Sequence, residues 1–458
     1  MKVLVVNGSP KGEDSVTLQT VLYLQKKFGE QAEFVYLHAG KRIRSLEKNF
    51  QEAEELLRGA DLILFSYPVY TFLVPAQLHR FIELIKEHGI DLRDKYATQI
   101  STSKHFYDIT AHQFIQDNCD DLGMKYLKGL SADMEDLLST KGRQEAEDFF
   151  AYILWNMEKG WSEPRRYAPE TFQRTEEPKV SPERMTVEGS PEKMDNSKRI
   201  VIVADMDENK ETALSKLIGS FQKAVSLPCE IVNIRAFPFS GGCLGCFHCA
   251  ADGTCVYKDG FDSFLRENIQ KGDAIVYAYT VRDHSMGSRF KTYDDRQFCN
   301  GHRTVTMGKP VGYLVDGDLE REENLRTVME ARAQVGGNYL SGIACSEAEA
   351  KQVAGRLEYC LEHGYTQPKN FYGVGGLKIF RDLIYQMRGL MKEDHRFYKK
   401  HGFYDFPQKK KGTIAAMYLV GALMSSKKLQ KKIGGKMTEG MLLPYQKVLE
   451  QAEAGKQK

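Results

Sequence analysis

The 458-residue sequence has no apolar run approaching about 18 residues, and it opens on an apolar strand where a leader would be basic and then apolar. These absences argue against a membrane span and a secretory leader, and place the chain in the cytoplasm. Neither sign of charge is in excess, with 64 Lys and Arg against 62 Asp and Glu, so nothing global favours nucleic acid or an acidic partner. Cysteine is sparse over most of the chain, yet four of the nine fall within thirteen residues. In a reducing compartment that distribution excludes a structural disulfide framework and leaves metal or catalytic chemistry. The chain is too long for one ordinary core, and its 42% hydrophobic residues supply two or three.

Short β-branched or apolar runs alternate with helical patterns at Val3 to Val6, Phe34 to Leu37, Leu62 to Phe65, Ala97 to Ile100 and Tyr126 to Leu130. This alternation predicts a parallel sheet covered by helices. After Trp161 the composition turns to Pro, Glu, Ser and Lys, which buries no core and reads as a linker. The strand pattern then restarts at Ile200 to Ala204, Glu230 to Ile234, Ala274 to Tyr277, Val311 to Val315 and Tyr339 to Ile343. The expected fold class is α/β, with two tandem doubly wound parallel sheets arising by duplication. From about Tyr365 helical patterns take over, at Leu377 to Met391, Thr413 to Met424 and Met437 to Glu450. The expected segments are 1–157, a linker 158–197, a second α/β domain 198–364 and a helical extension 365–458.

The first strand ends in Asn7-Gly8-Ser9-Pro10, with Ser15 and Thr17 just ahead of the helical run Leu18 to Phe28. Backbone N–H groups and hydroxyls at a helix N-terminus cradle phosphate, and cofactors sit beyond the carboxyl ends of such strands. An ordinary N-capped βα turn has the same look. The third strand leads into Pro68-Val69-Tyr70-Thr71-Phe72, whose rings suit either a flat cofactor or simple packing. The fourth leads into Ser101-Thr102-Ser103-Lys104-His105, so three polar loops are expected to converge at one sheet edge. There Lys104 or His105 faces negative charge or an acceptor oxygen, or is merely solvated.

These residues resemble the flavodoxin-like NAD(P)H-dependent FMN reductases, including the iron-sulfur flavoproteins. The resemblance is carried by Gly8-Ser9-Pro10-Lys11, Ser15-Val16-Thr17, Pro68-Val69-Tyr70 and Pro75-Ala76-Gln77-Leu78, with the compact cysteine run in support. Val16 replaces the family's usual Asn. The resemblance implies two flavodoxin-like domains. It implies FMN bound non-covalently, with its phosphate near Ser9, Pro10, Ser15 and Thr17, its ring against Pro68, Val69, Tyr70 and Phe72, and Ser101 and Thr102 alongside. Tyr70, Lys104 and His105 are the candidate catalytic residues. Electrons from NAD(P)H then pass to a small organic or protein acceptor; an electron carrier serving a partner enzyme is the alternative, and homo-oligomerisation stays open.

In the second half, Asp205-Met206-Asp207-Glu208 stands where the first has its Gly-Ser-Pro turn, and fixed negative charge repels a phosphate. No FMN is expected there. Conversely, the loop around His38 to Leu46 lacks cysteine, whereas its second-half counterpart carries Cys243, Cys246, Cys249 and Cys255. Close CxxCxxC spacing favours a [4Fe-4S] cluster; structural zinc, a redox thiol pair and an inherited loop without metal are the other readings. The complementary loops suggest that the halves pack as a pseudo-dimer, with the cluster facing the flavin. Cys299 reads as a buried structural thiol before a reactive one. Lys409-Lys410-Lys411 and Lys427, Lys428, Lys431 and Lys432 flank an apolar helix, which is expected to pack on the sheet domains before it would rest on an anionic membrane. Tyr372-Gly373-Val374-Gly375-Gly376 follows no strand and is assigned no cofactor, while the stretch from Asp394 to Tyr398, with His401 and Tyr404, is a conjectural lid.

Overall fold

The computed structural model describes residues 1–174 and 198–425, together with 442, 445, 446 and 448–452. Lys427, Lys428, Lys431, Lys432, most of the helix expected at Met437 to Glu450 and linker positions 175–197 lie outside the described residues. Met1–Phe397 forms one compact unit and Tyr398–Lys458 a second.

Eleven strands build two sheets among the described residues. The first holds β1 Lys2–Asn7, β2 Glu33–Leu37, β3 Leu62–Pro68, β4 Tyr96–Ser103, β5 Lys125–Tyr126 and β6 Leu130–Asp133. The second holds β7 Ile200–Ala204, β8 Cys229–Asn233, β9 Ala274–Thr280, β10 Pro310–Asp316 and β11 Tyr339–Ala344. Spatial order is β2-β1-β3-β4-β5 in one and β8-β7-β9-β10-β11 in the other, all parallel. Both are therefore doubly wound sheets of one topology, and strands such as β1 and β7 read as near-continuous apolar runs because helices cover both faces.

The helices of the first half are α1 Val16–Phe28, α2 Ala39–Leu46, α3 Gln51–Gly59, α4 Ala76–Glu87, α5 Asp108–Asp121 and α6 Thr140–Lys159. Those of the second are α7 Ala213–Ala224, the short α8 His248–Asp252 and α9 Phe261–Phe264, then α10 Gly287–Arg296, α11 Glu323–Gly336 and α12 Glu347–His363. Three more follow, α13 Phe371–Gln386, α14 Lys392–Lys400 and α15 Lys411–Met424.

Four sequence expectations need adjustment. The run Tyr126 to Leu130 is two strands, because the side chain of Gln99 rises between them to bond the hydroxyls of Tyr67 and Tyr126. At the break, a Cβ on Gly129 would lie 2.3 Å from the Gln99 side chain. The segment around His38 to Leu46 is the helix α2, not a loop. The helix placed at Leu377 to Met391 starts at Phe371, since Asn370 caps the N–H groups of Tyr372 and Gly373. Its glycines allow close approach: a Cβ on Gly376 would meet Phe106 at 2.9 Å. The conjectural lid begins inside α14, where the fully buried Asp394 accepts hydrogen bonds from Arg303 and from the His302 N–H. As for α15, its apolar residues Met417, Tyr418 and Leu419 are exposed.

The halves are joined through equivalent helices. Each third strand ends in a tight turn with two left-handed residues, Thr71 and Phe72 in the first half, Asp283 and His284 in the second. Tyr70 and Leu73 exchange backbone hydrogen bonds of 2.8 and 3.0 Å, as Arg282 and Ser285 do at 2.8 and 2.9 Å. The helices that follow, α4 and α10, pack together and cap one another. Asp295 of α10 accepts the Ala76 N–H of α4 at 2.8 Å, and Glu83 of α4 accepts the Ser288 N–H of α10 at 2.7 Å. Such reciprocity is the signature of a two-fold interface, here within one chain. One continuous core runs across it, holding Phe81 and Phe114 with Phe290 and Val328.

Candidate functional site

The phosphate turn is built by Asn7. Its amide donates to the Gly12 carbonyl at 2.8 Å and accepts the Ser9 N–H at 3.1 Å, curling the chain back on itself. Gly8 is obligatory, because a Cβ there would sit 2.6 Å from Leu78. Gly12 holds φ +59°, in the left-handed region. Ser15 caps α1 through the Leu18 N–H. Ser9, Ser15 and Thr17 are all buried, and the Thr17 hydroxyl has no hydrogen-bond partner. A buried hydroxyl without a partner costs about 1–3 kcal/mol, and here it stands at a helix N-terminus, where anions are favoured. The turn therefore fits a phosphate group.

Strand register brings the predicted loops together. Asn7 pairs with Ser66, and Tyr67 and Pro68 with Ser101 and Thr102, while the Val69 N–H reaches the Thr102 carbonyl at 3.1 Å. Ser9, Pro10, Val69, Tyr70, Ser101 and Thr102 thus share the carboxyl edge of one sheet. Ser101 bonds the half-buried ring of His112 at 2.7 Å, and desolvation drives that imidazole down to about 4. Other candidates are committed elsewhere. Phe72 is buried against Phe106 and Tyr107, with the Arg332 guanidinium 5.6 Å from its ring. Lys104 pairs with Asp133 at 2.8 Å, and His105 with Asp108 at 3.0 Å.

The cysteine run of the second half faces this edge. Lys11 of the phosphate turn lies 5.7 Å from the ring of Phe247, between Cys246 and Cys249. Gln77 donates to the Cys243 carbonyl at 3.3 Å. Tyr70 presses its hydroxyl onto Gly245 so closely that a Cβ there would lie 1.9 Å away. Burial, then the neighbouring Cys243, raise the Tyr70 phenol well above its ordinary range, so it stays protonated.

The run is shaped by left-handed residues, Gly245 at φ +60° and Phe247 at φ +59°. The Gly245 N–H points to the Cys243 sulfur at 3.4 Å, and the Cys249 thiol donates to the Phe298 carbonyl at 2.8 Å. Arg296, which sequence reasoning missed, anchors the segment. It binds Asp259 through two contacts of 2.8 and 2.7 Å, donates to the Gly241 carbonyl at 3.0 Å, stacks 4.4 Å over Tyr257 and lies 3.9 Å from the Cys255 sulfur. The signal was present in the Asp-Asp-Arg run, but nothing local indicates which loop that arginine enters.

Four thiols on one short segment, with an amide and a guanidinium directed at sulfur, fit a thiolate-held cluster. No three of these sulfurs lie within 4.8 Å of one another, whereas a single tetrahedral zinc needs its ligands about 4 Å apart. Burial pushes the Cys243 thiol up and that of Cys249 to about 11, so metal loading must release protons. Cys299 is buried beneath the run, its thiol pushed by burial to about 12.

The equivalent turn of the second half has a different lining. The Asp205 N–H bonds Ala278 as the Gly8 N–H bonds Ser66, so Asp205 occupies the place of Gly8. Thr212 caps α7 as Ser15 caps α1, which sets Leu214 at the position of Thr17. Arg235 bonds Asp205 at 3.1 Å and lines, with Asp205, Lys210, Thr280 and Arg282, a cavity of about 240 Å³.

Comparison with known proteins finds similarity to part of the chain. Residues 1–141 match the family model for the flavodoxin-like fold. An iron-sulfur flavoprotein of Archaeoglobus fulgidus is 29% identical over 174 residues, 35% of this chain and 79% of that protein. One from Clostridioides difficile is 21% identical over 217 residues, 42% of this chain and 96% of that protein. Among solved structures, an FMN-dependent NADH-azoreductase from Bacillus anthracis aligns with 33% of this chain and 99% of its own, at 14% identity and a TM-score of 0.28. The superfamily resemblance read from the motifs is upheld: the fold is flavodoxin-like, and the relatives are iron-sulfur flavoproteins. No helix among the described residues is long and apolar enough to cross a membrane.

Proposed function

We propose that this flavodoxin-like relative of the iron-sulfur flavoproteins is an FMN-dependent NAD(P)H oxidoreductase whose electrons leave through a cysteine-held iron-sulfur centre to a small organic or protein acceptor. The observation that carries this reading is the contact of two complementary half-sites: a phosphate turn with the unpartnered Thr17 hydroxyl, and a cysteine run laid directly against it through Lys11, Tyr70 and Gln77. Ser9, Ser15, Thr17 and the first N–H groups of α1 hold the phosphate, while Pro68, Val69 and Tyr70 wall the ring. When bound, FMN would accept one hydride, which carries two electrons, and an iron-sulfur centre would pass these on singly. Tyr70 excludes water between the two half-sites and keeps its proton. Arg296, near the Cys255 sulfur, offsets thiolate charge. Lys104 and His105, each held by an aspartate, bound the outer rim.

A carrier serving a partner enzyme is a second reading, favoured by Cys246 and Phe247, both exposed on the cysteine run. Anaerobic purification with iron and flavin quantification, followed by NAD(P)H oxidation with a quinone and no added partner, tests both. Stoichiometric FMN and steady turnover support the oxidoreductase; flavin and iron without turnover leave the carrier. Cys246→Ser with Cys249→Ser is expected to keep FMN and abolish transfer to one-electron acceptors. Colourless protein after FMN supplementation defeats both readings.

A further inference from the structure

The two-fold relation between the halves exposes one inequality. With Leu73 matched to Ser285, the residue in α10 equivalent to His79 of α4 is Lys291, and the residue equivalent to Glu83 is Asp295. On the Lys291 side a cation is built in. Its ammonium is fully buried, donates to the Tyr70 carbonyl at 2.9 Å and to the Thr71 hydroxyl at 2.7 Å, and pairs with Asp295. On the opposite side His79 stands where that lysine would be. It is fully buried, its ring meets that of Phe114 in a T-shaped contact with centroids 4.7 Å apart, and neither ring nitrogen has a hydrogen-bond partner. Glu83 and Asp283 close around it, all three offering ligand atoms within 4.8 Å of one another.

We propose that His79, Glu83 and Asp283 bind a divalent transition-metal ion, of which Zn²⁺ is the type, as an inorganic counterpart of the Lys291 ammonium at the seam between the halves. Distance supports coordination over direct pairing. The His79 Nε2 lies 3.9 Å from Glu83, too far for a hydrogen bond yet suitable for two ligands sharing an ion with bonds of about 2.0–2.2 Å. One imidazole with two carboxylates is a mixed nitrogen and oxygen donor set, suited to zinc and unlike the thiol set of the cysteine run. Both carboxylates already belong to a bonded network that includes cations. Glu83 also takes the Ser288 hydroxyl at 2.6 Å and Arg80 at 3.1 Å, and Lys86 is shared between Asp283 at 2.8 Å and Asp121 at 2.7 Å. These bonds, together with the Ser288 N–H on the Glu83 oxygen nearest His79, hold both carboxylates in place, as outer-shell partners orient ligands generally. Because the ligands come from α4 of one half and the turn after β9 of the other, the ion would lock the pseudo-dimer.

The test uses full-length protein with Cys243, Cys246, Cys249 and Cys255 replaced by Ser, so that thiol-bound metal does not contribute. Titration with Zn²⁺ after EDTA treatment is expected to show about one equivalent bound, with a rise in Tm. In the same background His79→Lys is expected to bind none and to have a Tm indifferent to EDTA, its own ammonium replacing the ion. If the serine variant does not fold, Co²⁺ loaded into the wild-type chain gives a second readout. A nitrogen and oxygen site adds visible bands without sulfur-to-metal charge transfer, and only those bands disappear in His79→Lys. Zinc binding that is absent in the parent, or equal in the His79→Lys protein, overturns the proposal.

Discussion

At the scale of single residues the site turns on groups whose surroundings leave them one use. Thr17 could satisfy its hydroxyl by turning to solvent, but it is buried at a helix start with no protein acceptor. A hydrogen bond to a charged group contributes about 1.5–3 kcal/mol, so Thr17→Val is expected to weaken FMN binding by roughly tenfold or more without lowering apoprotein stability. Fluorescence titration of FMN beside thermal melts checks both halves of that statement. Gly245 is constrained twice, by φ +60° and by the Tyr70 hydroxyl 1.9 Å from where a Cβ would lie. Gly245→Ala should therefore cost on the order of 1–3 kcal/mol, and adding Tyr70→Phe should recover the steric part but not the backbone part. Equal urea midpoints for the single and double variants would show that Tyr70 and the cysteine run do not press together. The Ser/Thr turn was legible in the sequence because its chemistry is local. Phe72 was not, since the turn that sends its ring toward Arg332 takes its direction from the opposing half.

At the scale of elements, α4 and α10 hold the halves together by capping one another. The pair Lys291 and Asp295 is fully buried, and Asp295 alone receives the Thr71 hydroxyl and the Ala76 N–H. Removing one partner strands a charge in a dry interior, so Asp295→Ala is expected to cost about 3–5 kcal/mol, whereas Lys291→Met with Asp295→Leu should cost less than the single change. Chemical denaturation of the three proteins decides it, and a double variant worse than the single would refute the stranded-charge account. The parallel, helix-covered character of both sheets was readable because short apolar runs alternate with helical patterns. The division of the fifth strand and the early start of α13 were not, because Gln99 and Asn370 act through contacts that a linear pattern does not contain.

At the scale of the whole molecule, the seam between the halves carries a titrating group. Burial opposes protonation of His284, but hydrogen bonds to Asp121 at 3.0 Å and Glu322 at 3.0 Å win and raise it to about 9. A pKa raised on folding adds stability that is complete below the unfolded value of about 6.5 and is lost as pH climbs through the folded one. The wild-type urea midpoint should accordingly fall between pH 6.5 and 9.5 by more than that of His284→Asn, the difference amounting to on the order of 3 kcal/mol. Parallel pH profiles for the two proteins would remove His284 from the interface energetics. The sequence by itself determined two α/β repeats, one with a phosphate turn and one with a cysteine run, because hydrophobic period, turn chemistry and thiol spacing are all properties of neighbouring residues. That the two segments face one another was suggested by their complementarity, but only the tertiary structure decided how they meet, with Lys11, Tyr70 and Gln77 against Phe247, Gly245 and Cys243. That meeting depends on a two-fold packing of helices some two hundred residues apart, and its complementarity is expressed in three dimensions, between side chains that no local pattern pairs.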